Sequence, residues 1–119
     1  MKRDMDLIRA IALKARDTSE QFSEMEDVAP GAFFEHVRLM DEAGLIDASV
    51  LPFAEGSGAA VVLRLTWKGQ DFVDTFSSAT VWKAAKDKLI SAGMSVPIDL
   101  LVEIGKDYLK RKFLGDVAG

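Results

Sequence analysis

From Met5 onward the apolar residues fall at Met5, Ile8, Ile11, Ala12 and Ala15, steps of three and four that gather them on one side of a helix. Asp4 stands where a cap accepts unpaired N–H groups, and the helix is predicted to end near Arg16. The period then lapses. Between Asp17 and Gly31, Thr18, Ser19, Ser23, Pro30 and Gly31 predict a loop, with a short strand around Gln21-Phe22. Helical spacing resumes with Phe33, Phe34, Val37, Met40 and Ala43, opposite Glu35, Arg38, Asp41 and Glu42. Gly44 suits the left-handed residue just past a helix end, after which Leu45 and Ile46 return to the core.

Two apolar runs follow, Val50 to Phe53 and Ala59 to Leu65, around Glu55-Gly56-Ser57-Gly58, the pattern of an antiparallel hairpin. Pro52 has no N–H for a ladder, which puts its strand at an edge. Thr66 is placed to cap a third helix carrying Gly69, Phe72, Val73 and Phe76. Thr80 is the expected cap of a fourth, with Val81, Trp82, Ala85 and Leu89 inside and Gly93 as its stop. Ser95 and Pro97 open a fifth bearing Ile98, Leu101, Val102, Tyr108, Leu109 and Phe113, with Lys110-Arg111-Lys112 in its last turn, where the carbonyl end of the helix favours cations.

At 119 residues the chain suits one domain. It has no cysteine, so disulfides and thiolate chemistry are excluded. No apolar run approaches the ~20 residues of a bilayer span, and Met1 to Asp6 carries no apolar leader, so a cytoplasmic location away from membranes is expected. The net charge of −4 is unevenly spread. Residues 1–16 hold five bases and two acids, residues 17–60 one base and ten acids, and residues 61–119 nine bases and seven acids. Arg38 is the lone base of the acidic middle.

The order helix, helix, Glu42-Ala43-Gly44-Leu45-Ile46, hairpin, Leu65-Thr66-Trp67-Lys68-Gly69, helix is similar to that of winged-helix domains. The opening Met1 to Arg9, His36-Val37-Arg38-Leu39, Thr80-Val81-Trp82 and Ser95-Val96-Pro97 more closely resemble a family of small phage and prophage proteins catalogued as a domain of unknown function. The resemblance spans nearly the whole chain. It implies an α+β protein in which residues 1–78 form a winged-helix core (helix, helix, two-stranded wing, helix) and residues 79–119 add two C-terminal helices packed on it. It implies a phage or prophage origin and carries over no catalytic residue. The usual second helix between the first helix and the wing has no clear pattern in residues 17–31.

A winged helix that reads DNA gathers Lys and Arg on its recognition helix and wing, because phosphate contacts supply most of the sequence-independent affinity. Here the second helix and hairpin present Glu35, Asp41, Glu42, Asp47 and Glu55 instead. A carboxylate ~6 Å from a phosphate costs about 0.7 to 3 kcal/mol at an effective dielectric of 20 to 80. These five acids are therefore the expected binding residues for a macromolecular partner, a host protein with a basic groove, in a regulatory or anti-defence role. The alternative is a transcriptional regulator that grips DNA through Arg38, Arg64, Lys68, Lys14 and Arg16. His36 is the one histidine and is read as a polar helix residue or partly buried packing; with no cysteine beside it, neither a metal site, a cofactor nor a catalytic triad is expected. Trp67 and Trp82, in first turns of helices, are both expected to close core edges. Trp82, Leu89, Leu101, Tyr108 and Phe113 offer enough apolar surface for a homodimer.

Overall fold

A computed structural model describes residues 3–91 and 97–118, the last four of these by backbone alone. It is a mixed α+β structure with five helices and one two-stranded antiparallel sheet among those residues. The chain divides into two compact units, Met1–Val73 and Asp74–Gly119, a division that falls inside the third helix.

In the first unit, α1 (Met5–Asp17) begins where Asp4 accepts the Leu7 N–H at 3.2 Å, and it buries Ile8, Ile11 and Ala12 along the expected stripe. The expected strand at Gln21-Phe22 is a single bridge: Phe22 donates to the Val62 carbonyl at 3.3 Å and accepts the Val62 N–H at 2.8 Å. Residues 18–29, all described, form no helix, so α2 (Pro30–Glu42) follows directly, with Pro30 at its first position. It buries Phe33, Phe34, His36, Val37 and Met40. Gly44, at φ +79°, then reverses the chain, and the Leu45 N–H reaches back to the Met40 carbonyl at 3.0 Å.

Strand β1 (Ile46–Pro52) starts four residues earlier than the apolar run predicts, because Ile46 and Asp47 pair with Leu65 and Arg64 of β2 (Gly58–Leu65). Between Asp47 and Ala48 the register shifts, leaving Leu63 as an extra residue on β2. Ile46, Ala60, Val62 and Leu65 turn inward and are buried. The third helix, α3 (Trp67–Phe76), is tied to the end of α2 through Thr66, whose hydroxyl donates to the Gly44 carbonyl and accepts the Gly69 N–H at 3.1 Å. Phe72 and Val73 complete this core.

The second unit comprises the end of α3, α4 (Ala79–Ser91) and α5 (Ile98–Ala118). Ser78, not Thr80, caps α4: its hydroxyl faces the Val81 N–H at 3.4 Å, and Thr80 lies within the helix. Both residues are cap formers, and helix α4 simply begins one residue before Thr80. Trp82 packs edge-on against Phe76 with centroids 5.0 Å apart, among Val81, Ala85, Leu89 and Leu101. Gly93 and Ser95, the predicted stop and start signals, lie outside the described residues. The Pro97 carbonyl accepts the Leu101 N–H at 3.0 Å, and α5 runs on to Ala118. Lys110-Arg111-Lys112 is therefore not in its last turn, contrary to the sequence reading.

Candidate functional site

On the solvent side of α2, helical spacing sets Glu35, Arg38 and Glu42 in one row. Arg38 sits between two carboxylates, 2.7 Å from Glu35 and 2.9 Å from Glu42. The bond to Glu35, reinforced by the charges of Glu35 and Glu42, pushes its guanidinium above the usual arginine range. The base of the acidic middle is therefore spent within its own helix.

Asp41 has a structural duty the sequence did not reveal. Because Val62 directs both its backbone groups at Phe22, its partner Ala48 turns its N–H away from β2, and Asp41 accepts that N–H at 3.1 Å. Pro52, which faces the same way by strand alternation, has no N–H at all. The open edge of β1 is thus blunted at both ends. Across the outer face of the hairpin Asp47 meets Arg64 at 2.5 Å, and Glu55 stands exposed at the tip. Five carboxylates against Arg38, Arg64 and Lys68, which bonds the end of α2, leave a surplus of two negative charges on α2 and the hairpin.

The cations proposed for DNA contact are engaged one by one. Arg38 and Arg64 hold the carboxylates just described. Lys68 donates to the Ala43 carbonyl at 3.1 Å, at the negative end of α2. Lys14 stands 5.0 Å over the Phe22 ring. Arg16 bonds Asp17 at 2.7 Å, which holds that carboxyl below its ordinary range.

Trp67 corrects the expectation for the indoles. Trp82 is buried at 4% exposure, but Trp67 is 85% exposed. The cause is local: Thr66 is the cap, so Trp67 takes the first helical position, whose side chain points off the end of the fold. Its neighbours Thr66 and Lys68 both bond backbone carbonyls at the Ala43-Gly44 end of α2. The capping residue was legible; its consequence for the next side chain was the available signal.

His36 is buried rather than exposed, as one of the two readings had it. Its Nδ1 donates to the Ala32 carbonyl at 2.8 Å and its Nε2 accepts the Asp4 N–H at 2.8 Å, fixing one neutral tautomer and tying α1 to α2. His36→Leu, which leaves the Asp4 N–H without its acceptor, is expected to lower stability by about 1–3 kcal/mol in urea unfolding. Beside this ring a cleft of about 560 Å³ is lined by Asp4, Leu7, Phe34, Glu35 and Gly56 among others. Among the described residues no group of three or more His, Asp or Glu side chains is placed to hold a metal ion, and no helix is long and apolar enough to cross a membrane.

Of the residues read as an oligomer surface, Trp82, Leu89 and Leu101 are at most 4% exposed and fill the core of the second unit instead. An amphipathic stripe shows that a side is covered without showing by what. Tyr108 is half-buried, and Phe113 is 68% exposed.

Residues 2–95 match the model of a family described as "Hypothetical protein (DUF2513)", and the chain belongs to that family. It is also similar to an "Uncharacterized protein" of Haemophilus influenzae, 30% identical over 117 residues, which covers 93% of this chain and 98% of the relative. No solved structure matches the chain.

Proposed function

We propose that this member of the DUF2513 family is a winged-helix module that acts by binding, not catalysis, and that its α2–hairpin face docks on a basic surface of another protein. The order α1, Phe22 bridge, α2, β1, β2, α3 supports the winged-helix reading, with the usual second helix absent. One observation carries the choice of partner: Arg38, Arg64, Lys68, Lys14 and Arg16 all engage groups of this chain, and Glu35, Glu42, Asp47 and Glu55 surround α2 and the hairpin. A phosphate that displaced a local carboxylate would sit next to the carboxylate it had freed, so exchange gains little and leaves repulsion. A basic protein surface is instead attracted by the net negative charge of this region, and the exposed Trp67 supplies the large apolar anchor that protein interfaces favour. The phage or prophage origin implied by the sequence resemblance makes a host-cell protein the partner, with a regulatory or anti-defence outcome.

The test starts from the full chain immobilised against a bacterial lysate, followed by affinity measurement with the purified partner. Glu35→Lys combined with Glu42→Lys and Glu55→Lys, and separately Trp67→Ala, is each expected to weaken binding about tenfold or more, roughly 1.4 kcal/mol. Asp41 is left intact because the β1 edge depends on it. Retarded migration of duplex DNA that weakens steeply with salt would replace this reading by a DNA-binding regulator.

A further inference from the structure

The second unit carries a surface of its own. At about 1.5 Å per residue, the 21 residues of α5 extend about 31 Å and the 13 of α4 about 20 Å, so α5 is the longer by about 12 Å. The second half of α5 is not wholly polar: Leu109, Phe113 and Leu114 are 36%, 68% and 51% exposed. Large apolar groups exposed together on one helix call for a cover.

Charge along α5 names what covers it. Its first part, Ile98 to Gly105, has Asp99 and Glu103 and no base, and the rest, Lys106 to Ala118, has Lys106, Lys110, Arg111 and Lys112 against Asp107, which bonds Arg111 at 3.0 Å, and Asp116. Such a helix is complementary to a reversed copy of itself and repels a parallel one. At about 100° per residue, Val102, Leu109 and Phe113 fall within about 40° of one another, with Glu103 and Lys110 together on one flank. Val102 is partly exposed, and Glu103 and Lys110 are both exposed.

We propose that a second copy of this chain docks on α5, the two helices antiparallel about a two-fold axis near Lys106 and Asp107. Phe113 of each copy lies over Val102 of the other, and Glu103 faces Lys110 across the flank, twice by symmetry. Two-fold pairing also excludes the register that centres the two helices on their C-terminal parts, because that would set Lys110, Arg111 and Lys112 against their own copies. A single helix pair is smaller than the roughly 800 Å² per partner of a standard interface, so the dimer dissociates in the micromolar range.

Light scattering and sedimentation equilibrium on the full chain over a range of concentrations test this. The wild type is expected to shift from monomer to dimer as concentration rises. Phe113→Asp should abolish the shift, and circular dichroism should show the fold kept, since that side chain is outside the core. Glu103→Lys and Lys110→Glu should each weaken the dimer about tenfold or more, and the double exchange should restore it. A wild type that stays monomeric, or single reversals that leave the dimer unchanged, would overturn the proposal. So would a monomer that sediments with phosphatidylserine-rich vesicles through Phe113, which would assign the same basic, apolar stretch to a lipid surface.

Discussion

Gly69→Ala is expected to destabilise the protein by about 3 kcal/mol or more, at the upper end of what overpacking costs. A methyl at this position would collide with the Leu45 carbonyl oxygen and stand 2.9 Å from Leu65 Cδ2. The side chain could turn away, but the carbonyl cannot, because it accepts the Thr66 N–H at 3.1 Å and lies one residue before β1 begins. Moving it disturbs the Gly44 reversal, the Thr66 cap and the start of β1 together. Gly31→Ala is the matched control: a methyl there meets nothing within 4 Å, and the change should be neutral or stabilising by up to about 1 kcal/mol, since alanine favours helix more than glycine does. Urea unfolding of both variants measures the contrast, and equal midpoints would show that α3 does not pack on the Leu45 backbone as closely as described.

The same junction shows which parts of the fold are legible in the chain. Gly44 as a helix stop, Thr66 as a cap and Pro52 at an edge can be read because each is a local preference of a single residue type, and each is where it was expected. The early start of β1 could not be read that way. Ile46, Asp47 and Ala48 have no strand period of their own, and their pairing is imposed by Leu65, Arg64 and Val62, 19, 17 and 14 residues later, around a bulge at Leu63. The tie from Asp41 to β1 was hidden for the same reason: the N–H it satisfies turns outward only once Phe22 has taken the other edge of β2. The acids of α2 were visible, but their pairing with Arg38 was visible too, at three- and four-residue spacing, and it reduces the charge that a count of residues assigns to that face. Trp82, Leu89 and Leu101 were recognised as a stripe and assigned to the wrong cover, since period reveals a buried side and not its neighbour.

In the second unit the largest loss is expected from Phe76→Ala, about 3–5 kcal/mol, as for buried aromatic side chains in general. Phe76 is fully buried, meets Trp82 at 74° between ring planes, and closes over Gly105 of α5. The indole reports the effect directly: in a Trp67→Phe background the remaining Trp82 should shift its emission to the red at lower urea when Phe76 is removed. Gly105 supplies a stricter test of the contact. A methyl there would stand 2.6 Å from both Phe76 Cε1 and Thr75 Cγ2, so Gly105→Ala alone should destabilise by overpacking. With Phe76 already truncated the same methyl enters the space the ring has left, and helix α5 gains alanine in place of glycine. The double variant is therefore expected to lose less than the two single losses added together, by about 1 kcal/mol or more of coupling. Strict additivity would mean that α5 does not lie on Phe76, and the packing that buries Leu101 beside Trp82 would need a different origin.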